Sequence, residues 1–190
     1  MTELSIDPRR TALVLIDLMP RIIALPLAPH SGAAVLDRSV RLATAVRAAG
    51  GLVVPVRVER PGDAEPIPGS GFAPGIEPYA ADVAIVKHTW GAFHDTGLDD
   101  VLRAREIRAV VLAGVATNFG VESTGRAAEE HGYQVVFVSD AMSGLHAEAH
   151  DFAVGYVFSK LGVVCDTEEL IHAVATPPAW SSRPGAEFRE

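Results

Sequence analysis

The sequence has a single cysteine, and this scarcity excludes several kinds of protein. One Cys among 190 residues cannot form an internal disulfide framework or a zinc site built from cysteines. Basic side chains are also in the minority, since 16 Lys and Arg face 24 Asp and Glu and the formal net charge is −8. An excess of negative charge repels phosphate backbones and anionic lipid surfaces. We therefore expect no nucleic-acid partner and no membrane partner.

Long apolar runs are absent as well. No run approaches the ~18 residues that a membrane span needs, and the first ten residues lack the basic-then-apolar order of a signal peptide. Together with the lone cysteine, these absences favour a cytoplasmic protein. The sequence also lacks the motifs G-x-S-x-G, G-x-G-x-x-G and G-x-x-x-x-G-K-[ST]. Their absence counts against a serine hydrolase, a dinucleotide enzyme and a P-loop NTPase.

The sequence does contain the composition and patterning of a folded α/β domain. Hydrophobic residues make up 48% and charged residues 21%, which is typical of one soluble globular domain, here residues 1–190. Continuous Val-, Ile- and Leu-rich runs predict strands covered on both faces, at 12–16, 52–58, 83–86, 109–113, 135–138 and 163–165. Helices are predicted between them, at 33–49, 98–105, 119–131, 147–161 and 167–174. This alternation predicts a three-layer fold with a parallel sheet and helices on both faces.

Two segments break the alternation. Residues 59–81 contain five prolines and four glycines, and a loop of this length is usually a binding loop, a lid or a surface excursion. Both a lid and a surface excursion stay open. Residues 176–190 show no periodicity, so this tail is either disordered or an arm that packs on a partner subunit, which Trp180 favours.

Polar residues at strand ends mark the candidate site. Ligands of open α/β sheets bind beyond the carboxyl ends of the strands. The first predicted strand leads into Asp17, the third into Lys87, and the fourth into a turn of small residues at 114–120. A buried Asp and Lys would form a coupled pair, and the amides of the turn suit an oxyanion. Each feature also has a non-functional interpretation: Asp17 could be a helix-capping or loop residue, Lys87 could be solvated, and the turn at 114–120 could be a simple strand-to-helix connection.

These features occur together with motifs of one known family. Over roughly residues 10–175 the chain resembles the isochorismatase-like hydrolases, also called the cysteine hydrolases. The motifs are Leu15-Ile16-Asp17, Lys87 with Trp90-Gly91-Ala92-Phe93 and Thr96-Gly97-Leu98, Gly114-Val115-Ala116-Thr117-Asn118, and Ser139-Asp140-Ala141. The resemblance implies a six-stranded sheet of order 3-2-1-4-5-6, a homodimer or homotetramer, an Asp-Lys-Cys active site and a cis peptide between Val115 and Ala116.

The sequence departs from that family where its nucleophile belongs. In amidase-like members the catalytic Cys lies two residues after the position of Asn118, and here that position is Gly120. Cys165 lies 45 residues downstream, at the end of the last predicted strand, and fits a small buried hydrophobe. Without a thiolate, the acyl-enzyme route to amide hydrolysis lacks its attacking atom.

Three functions remain compatible with a site centred on Asp17, Lys87 and Gly120. The isochorismatases of this family also lack a working Cys, so the resemblance suggests hydrolysis of a vinyl ether with Asp17 as the general acid. A water-based amide or imide hydrolase would use Asp17 as the general base instead. A homologue that only binds a ligand or serves as a scaffold is the third possibility.

The same comparison of motifs assigns the residues around this centre. Many members have Gln where this chain has Met19, so the pocket beside Asp17 is expected to be more apolar. The metal motif of nicotinamidases is missing from 58–65, so we expect no metal and no cofactor. His88 and His94 lie near the site, His146 and His150 are spaced for one helix face, and Arg57 or Arg60 could meet a substrate carboxylate. The predicted substrate-binding residues are Trp90, Phe93, Val115, Ala116, Thr117, Asn118 and Phe119.

Overall fold

The computed structural model describes residues 4–59 and 67–176, which form a six-stranded parallel sheet flanked by helices. The strand order is β3-β2-β1-β4-β5-β6, and each neighbouring pair is parallel. The predicted order 3-2-1-4-5-6 is therefore confirmed. The strands are β1 Thr11–Ile16, β2 Leu52–Val58, β3 Ile85–Lys87, β4 Ala109–Val115, β5 Gln134–Ser143 and β6 Val163–Cys165.

The central strands β1 and β4 have no face towards solvent. All residues of both strands are buried, and successive side chains point to opposite faces of the sheet. Val14 and Ile16 therefore belong to one hydrophobic cluster, whereas Leu13 and Leu15 belong to the other. Two cores, one on each face, explain why the apolar runs are continuous rather than alternating.

Helices cover both faces of the sheet. Their starts carry local signals, because the Ser31 side chain caps the helix that begins at Gly32, and Asp166 with Glu169 forms the predicted capping box of the helix that begins at Thr167. The predicted helix at 147–161 is one helical stretch that passes through a π-helical turn, Ala153–Phe158. The helices are α1 Pro20–Ile23, α2 Gly32–Ala48, α3 Leu98–Ala104, α4 Glu122–Glu130, α5 Ala147–Phe152, α6 Ser159–Leu161 and α7 Thr167–Ala175.

Several elements differ from the sequence-based expectation. The third strand pairs from Ile85 to Lys87, so Lys87 is its last residue and Val83 packs on the core without pairing. The fifth strand continues to Ser143, because β5 carries extra residues between Phe137 and Met142 and then resumes pairing with Gly114 and Val115 of β4. The short helix α1, which begins with Pro20, was not predicted, since four residues are too few to show periodicity.

The irregular segments lie only partly within the described residues. From residue 67 onwards, the predicted loop 59–81 packs beside α1: the Ala73 amide donates to the Leu18 carbonyl at 2.9 Å, and Ile76 is fully buried. Residues 60–66 and 177–190 lie outside the described chain, and with them Arg60, Trp180 and all of the predicted tail after Thr176. The lid stays a prediction. Among the helices that the structure describes, none has the length and hydropathy of a membrane span.

Candidate active site

Asp17 and Lys87 form a buried ion pair at the carboxyl edge of the sheet. Asp17 directly follows β1, where its amide donates to the Val56 carbonyl at 2.9 Å and its backbone adopts a left-handed φ of 52°. Lys87 ends β3, two strands away in the sheet. Its ammonium Nζ lies 2.9 Å from Asp17 Oδ2, and its side chain is only 2% exposed. The two strand ends thus bring together residues that are far apart in sequence.

The Lys87 ammonium is fully used within the protein. Besides Asp17 Oδ2, it donates to the Trp90 carbonyl at 2.9 Å and towards the Thr89 carbonyl at 3.4 Å. A lysine has three N–H donors, so each one has an acceptor. Lys87 therefore holds one oxygen of Asp17 in place, and it has no N–H left over for a ligand.

The two carboxyl oxygens of Asp17 differ in their hydrogen bonding. Asp17 Oδ1 is buried and has no hydrogen-bond partner among the described residues, although buried polar atoms are normally paired. Burial raises the pKa of the Asp17 carboxyl, and the positive charge and hydrogen bond of Lys87 offset part of that increase. A raised pKa suits a group that exchanges a proton with a substrate or with water.

The turn after β4 brings Gly120 against this pair. Gly114, with φ 114°, approaches β1 so closely that a Cβ there would lie 2.1 Å from the Ile16 carbonyl oxygen. The next peptide, between Val115 and Ala116, is cis, as the family resemblance implied. Residues Thr117–Val121 then form a π-helical turn. A Cβ at Gly120 would lie 3.5 Å from Lys87 Nζ and 2.9 Å from Ile16 Cγ2, so any side chain at this position would point at the ion pair.

A cavity of about 720 Å³ opens over Asp17, Lys87 and Gly120. One wall is aromatic, because the rings of Trp90 and Phe119 stack with their centroids 5.0 Å apart. Apolar side chains dominate the rest of the lining, which is typical of a site for a small organic molecule. The other lining residues are Arg21, Ile22, Leu25, Val58, His88, Thr89, Val115, Ala116 and Leu145.

Three predicted substrate-binding residues do not line this cavity. Phe93 turns away from it and stacks on His131, with ring centroids 5.0 Å apart. Thr117 is fully buried, and its hydroxyl bonds His150 Nδ1 at 2.8 Å. Asn118 lies on the same turn, with its Oδ1 buried and without a partner among the described residues. The π-helical turn directs Phe119 and Gly120 to the cavity and Thr117 to the adjacent helix α5.

The histidines also differ in whether they line the cavity. His88 lines the cavity, and its Nδ1 lies 2.7 Å from the Glu59 carbonyl. His94 is exposed beside Asp95. His146 precedes α5 rather than lying on it, so it does not share a helix face with the buried His150, whose ring meets that of His30 edge-on at 5.9 Å. No group of three His, Cys, Asp or Glu residues with metal-site geometry occurs in the described ranges.

Cys165 and Arg57 also lie away from the cavity lining. Cys165 ends β6, three strands from β1, and burial raises the pKa of its thiol to about 12. Arg57 pairs with Glu59. The cavity residues that sequence reasoning missed include Arg21, Leu25 and Leu145. Arg21 follows Asp17 by four positions, and this nearness to a strand end was the one signal that could have identified it.

Comparison with known proteins gives a consistent set of relatives. The sequence model of the isochorismatase domain matches residues 11–169. The isochorismatase family protein YecD of Escherichia coli O157:H7 is 34% identical, covering 90% of this chain and 100% of its own. YwoC of Bacillus subtilis, from the same family, is 36% identical, covering 92% and 99%. A maleamate amidohydrolase of Pseudomonas putida is 26% identical and covers 86% of each chain.

Solved structures agree with these relatives. An isochorismatase family protein from Burkholderia thailandensis superposes with a TM-score of 0.81 at 40% identity, covering 90% of this chain and 98% of that one. An N-carbamoylsarcosine amidase from Thermoplasma acidophilum superposes with a TM-score of 0.72 at 25% identity, covering 84% and 97%. The similarity therefore extends over most of each protein.

Proposed function

This chain belongs to the isochorismatase family and is a hydrolase, and on that premise we propose that it hydrolyses an enol ether without a covalent intermediate. The observation that carries this proposal is Gly120, which offers no nucleophile where a side chain would face Asp17 and Lys87. Covalent hydrolysis of an amide by this family's route needs a thiolate. Cys165 cannot supply one, because it is buried away from the cavity and its thiol pKa is raised to about 12.

Asp17 would act as the general acid. Its burial favours the protonated form, and Lys87 fixes Oδ2, so the proton is available at Oδ1. That proton passes to the terminal carbon of the C=C–O group and forms a C–H bond, leaving an oxocarbenium ion. Water then adds to the cationic carbon and loses a proton to the Asp17 carboxylate. In the resulting hemiketal the hydroxyl proton passes to the ether oxygen as that C–O bond breaks, which gives a carbonyl compound and an alcohol.

Hydrolysis of an amide or imide by water is the second candidate. It is favoured by the amidohydrolase and amidase among the relatives. In this scheme Asp17 Oδ1 takes a proton from the attacking water, and the amides of the turn at Val115–Gly120 stabilise the tetrahedral oxyanion. Both schemes need a small-molecule substrate and no cofactor. The homodimer or homotetramer stays a prediction.

The products and their isotope content distinguish the two candidates. We would incubate the purified chain in D₂O with a panel of small enol ethers and primary amides. The enol-ether reaction releases an alcohol and places one solvent deuteron on carbon, which mass spectrometry detects as a mass increase of the carbonyl product. Amide hydrolysis releases ammonia and leaves the carbon-bound hydrogens unchanged. Turnover of amides alone would overturn the enol-ether proposal.

The dependence of kcat on pH gives an independent prediction. If protonated Asp17 is the acid, kcat is level at low pH and falls about tenfold per pH unit above the raised pKa of Asp17. If ionised Asp17 is the base, kcat instead rises with pH until that pKa is passed. We expect the first profile, measured with saturating substrate over a pH range in which the protein stays folded. A profile that rises with pH would favour the amide candidate.

Placing a thiol at position 120 tests the geometry of the site. In a Gly120→Cys variant the Cβ meets Ile16 Cγ2 at 2.9 Å, and this methyl end can shift, so we expect a stability loss of about 1–3 kcal/mol. The nearby Lys87 ammonium should lower the pKa of the new thiol. We therefore expect rapid alkylation by iodoacetamide and the appearance of amidase activity.

Gly120→Ala is the matched control, because it adds the same Cβ without a thiol. In the wild type, Cys165 should resist alkylation because it is buried. If the Gly120→Cys variant folds but alkylates no faster than the wild type, position 120 does not face the cavity as described.

A further inference from the structure

Arg21 occupies a fixed position on the cavity wall, four residues after Asp17. It lies on α1, and its side chain lines the cavity that contains Asp17 and Lys87. Two hydrogen bonds to the segment that begins at residue 67 fix the position of Arg21. Its Nε donates to Ser70 Oγ at 2.9 Å, and its amide donates to the Gly69 carbonyl at 3.2 Å. Ser70 is itself buried. The guanidinium is thus oriented before any ligand arrives.

The charge of Arg21 is not neutralised by the described residues. Seven other arginines form ion pairs with carboxylates, namely Arg10, Arg38, Arg41, Arg47, Arg57, Arg103 and Arg126. Within residues 4–59 and 67–176, the Arg21 side chain has one hydrogen bond, to a neutral serine, and no ion pair. Its charge is close enough to Asp17 to contribute to lowering the pKa of that carboxyl.

Among the described residues that line the cavity, Arg21 is therefore the cation with N–H donors left for a ligand. The Lys87 ammonium donates to Asp17 and to two backbone carbonyls, so its three N–H groups already have acceptors. The two terminal Nη groups of the Arg21 guanidinium make no hydrogen bond among the described residues. Their planar arrangement suits the two oxygens of a carboxylate. The remaining walls are apolar or aromatic, including Ile22, Leu25 and the Trp90–Phe119 stack.

We infer that Arg21 forms an anion subsite, and that the substrate of this hydrolase is a small organic acid whose carboxylate binds Arg21 while its apolar body lies against the aromatic wall. This inference rests on the proposed function for the identity of the cavity as the active site, and it adds the substrate class. The Ser70 hydroxyl is a positioning group that orients the Arg21 guanidinium.

Binding of non-hydrolysable probes tests this subsite without relying on turnover. We would titrate the chain with benzoate and with benzyl alcohol, which share a ring and differ in charge, using isothermal calorimetry. The wild type should bind benzoate at least about 10-fold more tightly than benzyl alcohol, as expected for a charge-assisted pair in a partly buried site. Arg21→Gln should lose that preference, and Arg21→Lys should retain part of it. Arg126→Gln, which removes an exposed arginine on α4, should bind benzoate like the wild type.

The outcomes separate this inference from the proposed reaction. Equal affinity of the wild type for both probes, or benzoate binding that is unchanged in Arg21→Gln, would overturn the subsite. If Arg21→Gln fails to fold, Ser70→Ala replaces it. We expect this variant to bind benzoate about 2- to 5-fold more weakly and benzyl alcohol with unchanged affinity, since only the orientation of the Arg21 guanidinium is lost. Absence of enol-ether turnover would refute the proposed reaction and leave the probe titrations unaffected.

Discussion

An Asp17→Asn variant is expected to lose about 10²- to 10⁴-fold in kcat, the range that a positioned proton donor contributes. An amide has nearly the shape of the carboxyl group but cannot deliver a proton to the substrate. Its oxygen can still accept the hydrogen bond that Lys87 now makes to Oδ2 at 2.9 Å. Asparagine also tolerates the left-handed backbone found at Asp17, where φ is 52°. The loss should therefore be in kcat, with KM changed little.

Asp95→Asn is the matched control for this variant. Asp95 also has a left-handed backbone, with φ 53°, but it is exposed and lies outside the cavity lining. Its kcat should equal that of the wild type. Circular dichroism and thermal unfolding would check that Asp17→Asn remains folded. A folded Asp17→Asn variant that retains wild-type kcat would refute any role of Asp17 as acid or base.

A Lys87→Met variant is expected to lose activity and to lose more stability than any other variant proposed here. The Lys87 side chain is only 2% exposed, and removal of one partner from a buried ion pair costs about 3–5 kcal/mol. The cost arises because the Asp17 carboxylate is left buried without its counter-charge. Methionine has a similar length, so little of the loss should come from a cavity.

The pH dependence of this loss follows from the pKa of Asp17. Burial already raises that pKa, and Lys87 is the main influence that opposes the increase. Without Lys87 the folded-state pKa rises further above the unfolded value. A carboxyl with a raised folded pKa contributes its stability at low pH and loses it as pH rises through the two values. Urea unfolding should therefore show the Lys87→Met deficit at neutral pH and a smaller deficit near pH 4 (approximately the unfolded pKa).

Lys160→Met is the control, since it removes the other lysine of the sequence from an exposed position on α6. It should change the free energy of unfolding by no more than about 0.5 kcal/mol. The residual activity of Lys87→Met is also informative, because its descending pH limb should move to higher pH with the pKa of Asp17. A deficit that is the same at every pH would mean that Lys87 acts through packing rather than through its charge.

Sequence reasoning placed Asp17 and Lys87 at one edge of the sheet because strand ends are visible in a sequence. Asp17 and Lys87 each stand at the end of an apolar run, and the carboxyl ends of parallel strands share one edge of the sheet. Gly120 was identified by its place in a family motif. The inferences on Asp17 and Lys87 needed only the position of each residue relative to a strand, whereas that on Gly120 needed the family motif.

The rest of the cavity depends on the paths of loops and turns. Phe93 and Phe119 are both aromatic residues near strand ends, but one packs on His131 and the other lines the cavity. Thr117 and Gly120 are three residues apart, and the π-helical turn sends them to different neighbours. A residue's type does not reveal which way a loop turns, since this depends on side-chain packing between distant segments.

By itself, the sequence determined the fold class and the order of the elements and predicted the Asp-Lys pair, because these follow from hydrophobic patterning and from residues adjacent to strands. Only the tertiary structure decided that Lys87 spends its donors on Asp17 and two carbonyls, that Asp17 keeps one oxygen without a partner, and that Arg21 joins the cavity under the hold of Ser70. The contacts of Arg21 with Ser70 and of Asp17 with Lys87 join groups that are 49 residues apart in sequence or more, and no local pattern encodes such contacts.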